Sequence, residues 1–355
     1  MSTYIASPSA PLQRLDQWYT TSSALTAALT ALGFLTVARA AYHVADFIYL
    51  YLKPSKLHRY LHPSPSGQQP WALVTGATDG IGKAFAQELA AHGFNVVVHG
   101  RNPAKLAATE AELRSAHPGR DFRSLRVDAG RVGCLNCLEQ TDSRLPSSSV
   151  IDFSSIAASL SDIHLTVLIS NAGGAPSPVY RTLDAVGPAE MADYVSLNAL
   201  FPLHLLSHLI PALARNSPAL VLAVGSLSDN GLPLLSVYGP SKSFLMSLAG
   251  CVARDMRLEG RDVEVLGLRT GRVTGAGDLA EEPTLFLPDA KTFVRAALGR
   301  VGCGWPEVVP YWPHAVQQGF VVGAMPAWVR ERLFLTIMSR LRDGEREQLA
   351  KGKEE

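Results

Sequence analysis

The stretch "WALVTGATDGIGKAFAQELAAHGFNVVVHG", residues 71–100, decides the fold of this chain. It opens with a short apolar run, passes through a cluster of glycines, continues with apolar residues at helical spacing and ends in a second apolar run. This order is typical of a strand, a crossover helix and a second, parallel strand. The stretch therefore predicts a parallel sheet with helices packed against it.

The glycines of this stretch lie where the first strand passes into the helix. Glycine permits a tight turn and lets backbone N–H groups approach a pyrophosphate, which the amino terminus of the helix stabilises. The position between a strand and a helix favours a dinucleotide site over the alternative, a tight turn that binds no ligand. The predicted contacts are Gly76, Thr78, Asp79, Gly80, Ile81 and Gly82.

Strand-like and helical patterns continue to alternate beyond this stretch. The strand-like runs "FRSLRVD", "LTVLISNAG", "ALVLAVGS" and "VEVLGLRTG" follow one another along the chain with helical patterns between them. Such alternation predicts an α/β fold with a doubly wound, Rossmann-like parallel sheet. A polar, serine-rich segment over residues 129–151 breaks the alternation and predicts an inserted surface loop.

The composition excludes several classes of protein. The chain has 355 residues, 47% of them hydrophobic and 18% charged, which suits a folded domain. Its 32 basic and 31 acidic side chains give a net charge of +1, so nucleic acid is not an expected partner. Four scattered cysteines exclude a disulfide framework and indicate a reducing compartment. Cys134 and Cys137 form a CxxC pair without a second pair, so no metal site is predicted.

An uncharged segment near the amino terminus, residues 17–38, is long enough to cross a bilayer. More basic residues follow it than precede it, which places the following domain in the cytosol by the positive-inside rule. A cleaved signal peptide and a buried helix at the domain edge are the alternatives. The tail "KGKEE" has lysines third and fifth from the carboxyl end, the arrangement of a dilysine retrieval signal. Together the two ends predict a protein of the endoplasmic reticulum membrane.

A Pro/Ser/Gly-rich segment, "HPSPSGQQP", separates the amino-terminal region from the alternating pattern. Residues 308–329, near the other end, carry no formal charge, but three prolines argue against a spanning helix there. A substrate lid, a membrane-facing patch and ordinary core packing are the alternatives for that segment. The expected organisation is an N-terminal region with the membrane anchor over residues 1–62, a linker over 63–70, a nucleotide-binding catalytic domain over 71–300, and a C-terminal substrate- or membrane-facing region with the tail over 301–355.

Arg101 follows the second predicted strand, at the position where Rossmann-like folds discriminate at the adenosine ribose. An acidic residue there would accept hydrogen bonds from a free 2′-hydroxyl group, whereas a guanidinium matches a 2′-phosphate. The residue therefore favours NADP(H) over NAD(H), the alternative being a solvated surface arginine.

The stretch "YGPSK" places Tyr238 and Lys242 one helical turn apart, on the same face of a predicted helix. A neighbouring ammonium favours the phenolate, so we expect it to lower the pKa of the Tyr238 hydroxyl. A tyrosine tuned in this way can act as a general acid for a carbonyl oxygen.

The glycine spacing, the stretch "SNAG" (170–173), Asn198, Ser226 and the YxxxK pair together resemble the short-chain dehydrogenase/reductase family over residues 70–275. The resemblance implies one Rossmann-like domain with NAD(P)-dependent carbonyl reductase or alcohol dehydrogenase activity. It implies that Tyr238 donates the proton and that Lys242 also holds the ribose hydroxyls. It further implies that Ser226 binds the substrate oxygen and that Asn198 supports the proton relay. The implied cofactor contacts, besides the glycine turn and Arg101, are Asp128, Asn171, Ala172, Gly173, Tyr238, Lys242, Val273 and Thr274.

The chain departs from the family pattern in two places, and a third position is ambiguous. The interval from Ser226 to the tyrosine is one position shorter than usual, and Ser228 is a nearby rival. Thr270, in "RTGRVTG", takes the place of the usual proline. The adenine pocket is expected to be capped by Asp128, which ends a predicted strand, with Asp152 as the alternative.

Further stretches extend the resemblance over most of the chain. The stretches "TDGIGKAFAQELAAHGFNVV", "LPLLSVYGPSK" and "HAVQQGFVVGAMPAWV", with the membrane segment and the tail, resemble the microsomal very-long-chain 3-oxoacyl-CoA reductases, a branch shared with 17β-hydroxysteroid dehydrogenases. This resemblance implies NADPH-dependent reduction of a 3-oxoacyl-CoA in fatty acid elongation, at the cytosolic face of the endoplasmic reticulum. The implied partners are a long-chain acyl-CoA or steroid-like ketone, the membrane and an elongase complex. A ketosteroid or polyketide ketone reductase and a non-catalytic elongase scaffold are the alternatives.

Overall fold

The computed structural model describes residues 10–132, 151–275 and 281–351. Two compact units make up the chain, and the boundary between them lies between Lys53 and Pro54. The Tyr60 side chain is fully buried within the second unit, and the Tyr60 carbonyl oxygen accepts a hydrogen bond from the Thr166 hydroxyl at 2.9 Å. The residues just before the expected linker thus pack into the second unit, and the expected division into anchor, linker and catalytic domain stays a prediction.

The first unit contains one long helix, α1 (Ala10–Leu52). Its stretch Ser22–Leu52 is long and apolar enough to cross a membrane, and Phe34 and Leu35 are 72% and 64% exposed. At about 1.5 Å per residue, this stretch exceeds the ~30 Å hydrocarbon thickness of a bilayer. The expected amino-terminal apolar helix is confirmed, and it continues past Arg39.

The second unit is built on one parallel sheet. The chain runs outward from the first strand to one edge, returns to the centre and continues to the other edge, which confirms the predicted doubly wound topology. In such sheets ligands bind at the carboxyl ends of the strands, where the strand order reverses. The strands are β1 (Pro70–Val74), β2 (Asn95–Gly100), β3 (Phe122–Arg126), β4 (His164–Ser170), β5 (Ala219–Val224), β6 (Val263–Leu268) and β7 (Glu307–Val308), in the spatial order β3-β2-β1-β4-β5-β6-β7.

Helices connect and cover these strands. A π-helical turn, Ser196–Leu200, interrupts the long helical stretch after β4. That stretch, residues 188–215, is as apolar as a membrane span, yet Phe201, Leu205 and Leu213 are buried in the core of the unit. The helices are α2 (Gly80–Ala91), α3 (Pro103–Ala116), α4 (Phe153–Ser159), α5 (Pro188–Val195), α6 (Phe201–Arg215), α7 (Tyr238–Leu258), α8 (Ala290–Gly299), α9 (Trp312–Gln318) and α10 (Ala327–Lys351).

Local side chains start several of these helices. At the start of α3, the Asn102 side chain accepts a hydrogen bond from the Lys105 N–H at 3.1 Å. At the start of α8, the Asp289 side chain accepts one from the Thr292 N–H at 2.6 Å. Strands β2, β4 and β5 are buried at every position, as expected of parallel strands covered on both faces. The carboxyl ends of these strands therefore form a rigid edge, and the candidate site lies along it.

The carboxyl-terminal region divides between core and surface. Val308 extends the sheet through β7 and is buried, as is His314 in α9. Phe320 and Trp328 are 61% and 65% exposed. A π-helical turn follows α9 and ends before Pro326, so this uncharged segment forms no single spanning helix.

Parts of three sequence-based expectations lie outside the described residues. They are most of the inserted loop, the Cys134/Cys137 pair within it and the last four residues of the dilysine-like tail. The described beginning of the inserted loop, residues 129–132, follows β3.

Candidate active site

The glycine turn between β1 and α2 has the geometry of a phosphate cradle. Gly76 and Gly80 have φ angles of 64° and 50°, which residues with a side chain rarely adopt. A Cβ atom at Gly82 would overlap the Gly76 carbonyl oxygen and would lie 2.6 Å from Asn171 Nδ2. Because Gly76, Gly80 and Gly82 have no side chains, an anionic ligand can come close to the backbone N–H groups of the turn and of the start of α2.

The end of β4 supports this turn from the neighbouring strand. The Asn171 side-chain amide donates to the Thr75 carbonyl oxygen, and the Ala172 N–H donates to the Thr75 hydroxyl, both at 2.9 Å. The Asn171 amide is thus directed at the turn itself, whereas the sequence suggested a contact to the cofactor. The other residues predicted at this turn, each at least partly exposed, are Thr78, Asp79 and Ile81.

His99 holds the turn from the other side, and no sequence motif singled it out. Its side chain is buried in β2, and Nδ1 accepts a hydrogen bond from the Gly76 N–H at 3.1 Å. Burial lowers the pKa of His99 to about 4, against an opposing effect of Asp128. The ring is therefore neutral at physiological pH, which keeps Nδ1 available as an acceptor.

The ends of β2 and β3 form the region expected to bind the adenosine ribose. Arg101 follows β2, is exposed, and has no ion-pair partner among the described residues. Asp128 follows β3 and lies close enough to His99 to affect its pKa. The Asp152 carboxylate instead caps α4, where it accepts a hydrogen bond from the Ser155 N–H at 3.1 Å. These positions favour Asp128 over Asp152 for the adenine pocket.

Tyr238 and Lys242 lie in the first turns of α7, beside the end of β5. Lys242 Nζ lies 6.0 Å from the centre of the Tyr238 ring and donates to the Val224 carbonyl oxygen at 3.1 Å. Burial lowers the pKa of Lys242 to about 8, so the ammonium predominates at pH 7. Burial raises the pKa of Tyr238, and the side chain of Ser226 opposes this effect. The expected lowering of the Tyr238 pKa by Lys242 is not found: loss of hydration has the largest effect, and Lys242 is not among the groups that shift this pKa.

The structure separates the two candidate serines. Ser226 begins the short helical turn that follows β5, and its side chain lies near enough to the Tyr238 hydroxyl to lower the pKa of the tyrosine. Ser228 is buried, and its hydroxyl donates to Ser226 Oγ at 2.9 Å, so it contacts the other serine. The short interval to the tyrosine contains Leu234 at a φ angle of 64°, a left-handed conformation that costs about 1 kcal/mol for a residue with a side chain.

Asn198 lies in the π-helical turn between α5 and α6 and is fully buried. Its Oδ1 accepts a hydrogen bond from the Gly174 N–H, and its Nδ2 donates to the Gly174 carbonyl oxygen, both at 2.9 Å. A Cβ atom at Gly173 would lie 2.6 Å from Lys242 Nζ and 2.8 Å from Asn198 Oδ1. Gly173 therefore lets the lysine and the asparagine approach each other at the end of β4.

The segment after β6 carries the remaining predicted cofactor contacts. Val273 and Thr274 are both buried, and the Thr274 N–H donates to the Pro288 carbonyl oxygen at 3.0 Å. The Thr270 carbonyl oxygen, where the family has proline, accepts a hydrogen bond from the Leu227 N–H at 2.9 Å. The loops after β5 and β6 are thus joined without the proline.

Two further contacts that no motif revealed fix these loops. Arg269 makes a bidentate ion pair with Asp229 at 2.7 and 2.8 Å, and the Asp229 side chain is 4% exposed. The buried His314 ring packs against Gly271, where a Cβ atom would lie 2.7 Å from its Nδ1. Because each pair is far apart in the sequence, no residue spacing could have indicated it.

A family model described as short chain dehydrogenase matches residues 70–282, more than half of the chain. The matched residues contain the glycine turn, Asn198, Ser226, Tyr238 and Lys242. The chain belongs to the short-chain dehydrogenase family. It is therefore an oxidoreductase whose cofactor is a nicotinamide dinucleotide.

Curated relatives of this short-chain dehydrogenase extend the similarity beyond the family core. The very-long-chain 3-oxoacyl-CoA reductase of Pyricularia oryzae is 30% identical over 259 residues, which are 71% of this chain and 72% of that protein. The protein of the same name from Aspergillus oryzae is 29% identical over 354 residues, which are 94% of this chain and 93% of that protein. The expected resemblance to that branch of the family is confirmed.

Solved structures of other short-chain dehydrogenases share the fold. A 7β-hydroxysteroid dehydrogenase superposes with a TM-score of 0.61 at 20% identity, over 75% of this chain and 97% of that one. A short-chain dehydrogenase from Sphingobium yanoikuyae in complex with NADPH gives 0.54 at 21% identity, over 73% and 97% of the two chains. At these identities the likeness concerns the fold alone.

The residues of this short-chain dehydrogenase fit a nicotinamide dinucleotide. The cradle at Gly76 and Gly82, which a Cβ atom would fill, has the shape required for close approach of a pyrophosphate. The Lys242 ammonium and the Tyr238 hydroxyl are the donors available to ribose hydroxyls beside the end of β5. These groups would hold the dinucleotide along the carboxyl edge of the sheet.

Proposed function

We propose that this short-chain dehydrogenase reduces a very-long-chain 3-oxoacyl-CoA to the 3-hydroxyacyl-CoA with NADPH, in fatty acid elongation. The observation that carries the proposal is the arrangement of Ser226, Tyr238 and Lys242 beside the glycine turn. Its support is that relatives matching almost the full length of the chain bear the name of that reductase. An acyl-CoA is therefore the substrate class to test first.

The proposed mechanism assigns the proton to Tyr238. Because burial raises the pKa of Tyr238, the hydroxyl keeps its proton at neutral pH and can donate it to the substrate carbonyl oxygen. Ser226, whose side chain affects the pKa of Tyr238, would bind the same oxygen and align it with the phenol. Lys242 would hold its charge near the forming alcohol, and Asn198 would keep the loop at Gly174 in place. A bound reduced nicotinamide supplies the hydride to the carbonyl carbon.

An assay with three substrates tests this proposal. NADPH oxidation is followed with a long-chain 3-oxoacyl-CoA, a 17-ketosteroid and a polyketide-type ketone, for the wild type and Tyr238→Phe. We expect turnover of the acyl-CoA, and a loss in kcat of roughly 10²–10⁴-fold in the variant because the general acid is removed. Turnover of only the steroid or the polyketide ketone would move the substrate to that class. Failure with all three would favour a non-catalytic elongase scaffold.

The preference for NADPH over NADH rests on Arg101. Its guanidinium at the end of β2 is exposed, has no ion-pair partner in the part of the chain that the structure describes, and suits a 2′-phosphate. We expect Arg101→Ala to weaken NADPH binding by roughly 10–100-fold, the value of one or two charge-assisted hydrogen bonds, and to leave NADH binding within twofold. Arg261→Ala is the matched control. Arg261 is also exposed, but it precedes β6 and so lies at the amino end of that strand, on the other half of the sheet. Equal losses for both cofactors would contradict the assignment.

Helix α1 is the proposed anchor in the endoplasmic reticulum membrane, with the catalytic unit in the cytosol. Its support is the exposed apolar stretch Ser22–Leu52. Elongase partners would then meet the enzyme at the same membrane. Protease protection in sealed microsomes tests the orientation: the catalytic unit should be digested without detergent, and protection of it would overturn the assignment.

A further inference from the structure

A carboxylate from the carboxyl-terminal helix holds the loop that follows β4. Glu345 lies in α10, and its Oε1 accepts a hydrogen bond from the Val179 N–H at 2.7 Å. Its Oε2 accepts one from the Tyr180 N–H at 3.1 Å. Hydrogen bonds to an ionised acceptor are stronger than those between neutral groups. One carboxylate therefore satisfies two successive backbone donors from a distant part of the chain.

The loop held by Glu345 lies beside the catalytic tyrosine. Arg181, the residue after Tyr180, forms a bridge with Leu235, three residues before Tyr238. Tyr180 is partly buried, and it is among the groups whose charge raises the pKa of Tyr238. The loop therefore lies on the same side of the sheet end as the catalytic hydroxyl.

The same loop is attached on its other side to the segment that leads into α7. The Arg181 N–H donates to the Leu234 carbonyl oxygen at 3.1 Å, and the Arg181 guanidinium makes an ion pair with Glu190 in α5. Residues 179–181 thus connect α10 to the chain just before Tyr238. Displacement of the loop at Glu345 would therefore move both Tyr180 and the approach to the catalytic tyrosine.

We propose that Glu345 is a positioning residue that fixes the loop at residues 179–181. Through this loop the carboxyl-terminal helix would control the binding of a long acyl substrate near Tyr238. The inference rests on the proposed function for the identity of that substrate. The contact itself does not depend on the substrate. The hydrogen bonds of Glu345 reach the backbone of Val179 and Tyr180 and not Tyr238 or Ser226, so Glu345 acts through the position of the loop at residues 179–181.

Hydrogen exchange measures the contact directly. Full-length protein in detergent micelles is compared as wild type, Glu345→Ala, Glu345→Gln and the control Glu347→Gln, whose side chain is exposed on the same helix. Mass spectrometry with fragmentation resolves the amides of Val179 and Tyr180. We expect these two amides to exchange about tenfold faster in Glu345→Ala, the ratio for one lost hydrogen bond to a charged group. Glu345→Gln, which keeps one acceptor oxygen, should be intermediate, and the control unchanged.

Steady-state kinetics then shows whether the contact matters for substrate binding. In Glu345→Ala we expect KM for the long-chain 3-oxoacyl-CoA to rise about tenfold for the same lost hydrogen bond, with kcat within twofold and NADPH affinity unchanged. Unchanged exchange at Val179 and Tyr180, or acceleration spread over the whole sheet, would overturn the proposal. So would equal losses in kcat and NADPH affinity. Faster exchange in a protein without reductase activity would leave the contact in place and refute the proposed function instead.

Discussion

Different contacts hold the two parts of the site. The cofactor side runs from the glycine turn to β2, and the proposed substrate side runs from the loop after β4 to α10. On the cofactor side, Gly76 and Gly82 make room for backbone atoms. The Asn171 amide donates a hydrogen bond to the turn, and His99 accepts one from it. The substrate side is held by charged side chains from distant segments, such as Arg269 and Glu345. Added volume should therefore disrupt the cofactor side most, whereas loss of a charge should disrupt the other side most.

Adding one methyl group to the cofactor side should have the largest effect. In Gly82→Ala the new Cβ atom would overlap the Gly76 carbonyl oxygen, and overpacking of this kind costs about 3 kcal/mol. We expect the cost to appear as a lower thermal midpoint and a loss of NADPH binding, measured by calorimetry. Gly119→Ala is the control, because a Cβ atom there has nothing within 4 Å. Wild-type cofactor affinity in Gly82→Ala would show that the turn is not a close cradle.

Removing one charge from the substrate side should have the next largest effect. Asp229→Asn removes the anionic partner of the Arg269 guanidinium, and because that arginine keeps some exposure we expect a loss of roughly 2–3 kcal/mol in unfolding free energy. Urea unfolding measures this loss, and kcat should fall with it because the turn that begins at Ser226 is released. Asp255→Asn, an exposed carboxylate on α7, should change neither quantity. If both variants lose the same stability, the ion pair does not hold this loop.

Acidification should weaken the cofactor side through His99. Its pKa is lowered from 6.5 in the unfolded chain to about 4 in the fold, so the unfolded state binds the proton first and stability falls as pH falls below 6.5. Between pH 6.5 and pH 5 this amounts to about 1.6 kcal/mol. His99→Asn should remove that part of the pH dependence of urea unfolding, whereas the exposed His58→Asn should not. Parallel curves for wild type and His99→Asn would contradict the assignment.

The smallest effect is expected for a charge pair outside both halves of the site. Asp162 and Arg123 form a bidentate pair at 2.7 and 2.8 Å, but both side chains are well exposed. Solvent screening leaves about 0.5 kcal/mol for such a pair, so Asp162→Asn should shift the urea midpoint only slightly. A loss as large as that of Asp229→Asn would mean that burial is not what distinguishes the two pairs.

The cofactor side could be predicted from the sequence because its contacts are local. A strand, a glycine turn and a helix follow one another within residues 71–100, and the need for Gly76 and Gly82 is visible in the spacing itself. His99 belongs to the same stretch but was missed, since a histidine in an apolar strand has no periodic signal. Its role appears only when β2 lies beside the turn.

The substrate side could be predicted only in part. Tyr238 and Lys242 share a helix, so their proximity follows from the helical repeat. The direction of the Tyr238 pKa did not follow, because it depends on burial by segments that meet only in the fold. Glu345 lies in the region over residues 301–355 that was expected to face the substrate or the membrane, and its contact with the loop after β4 has no counterpart in the sequence pattern.

The order of strands and helices, the glycine turn, the helical tyrosine–lysine pair and the apolar amino-terminal helix could all be predicted from the sequence, because each depends on residues that are neighbours along the chain. The fold was needed to show which serine lies near Tyr238, how Arg269 and Asp229 pair, and that α10 holds the backbone at Val179 and Tyr180. These contacts join segments separated by many residues. Desolvation and pairing of their charges depend on distances that the fold alone creates.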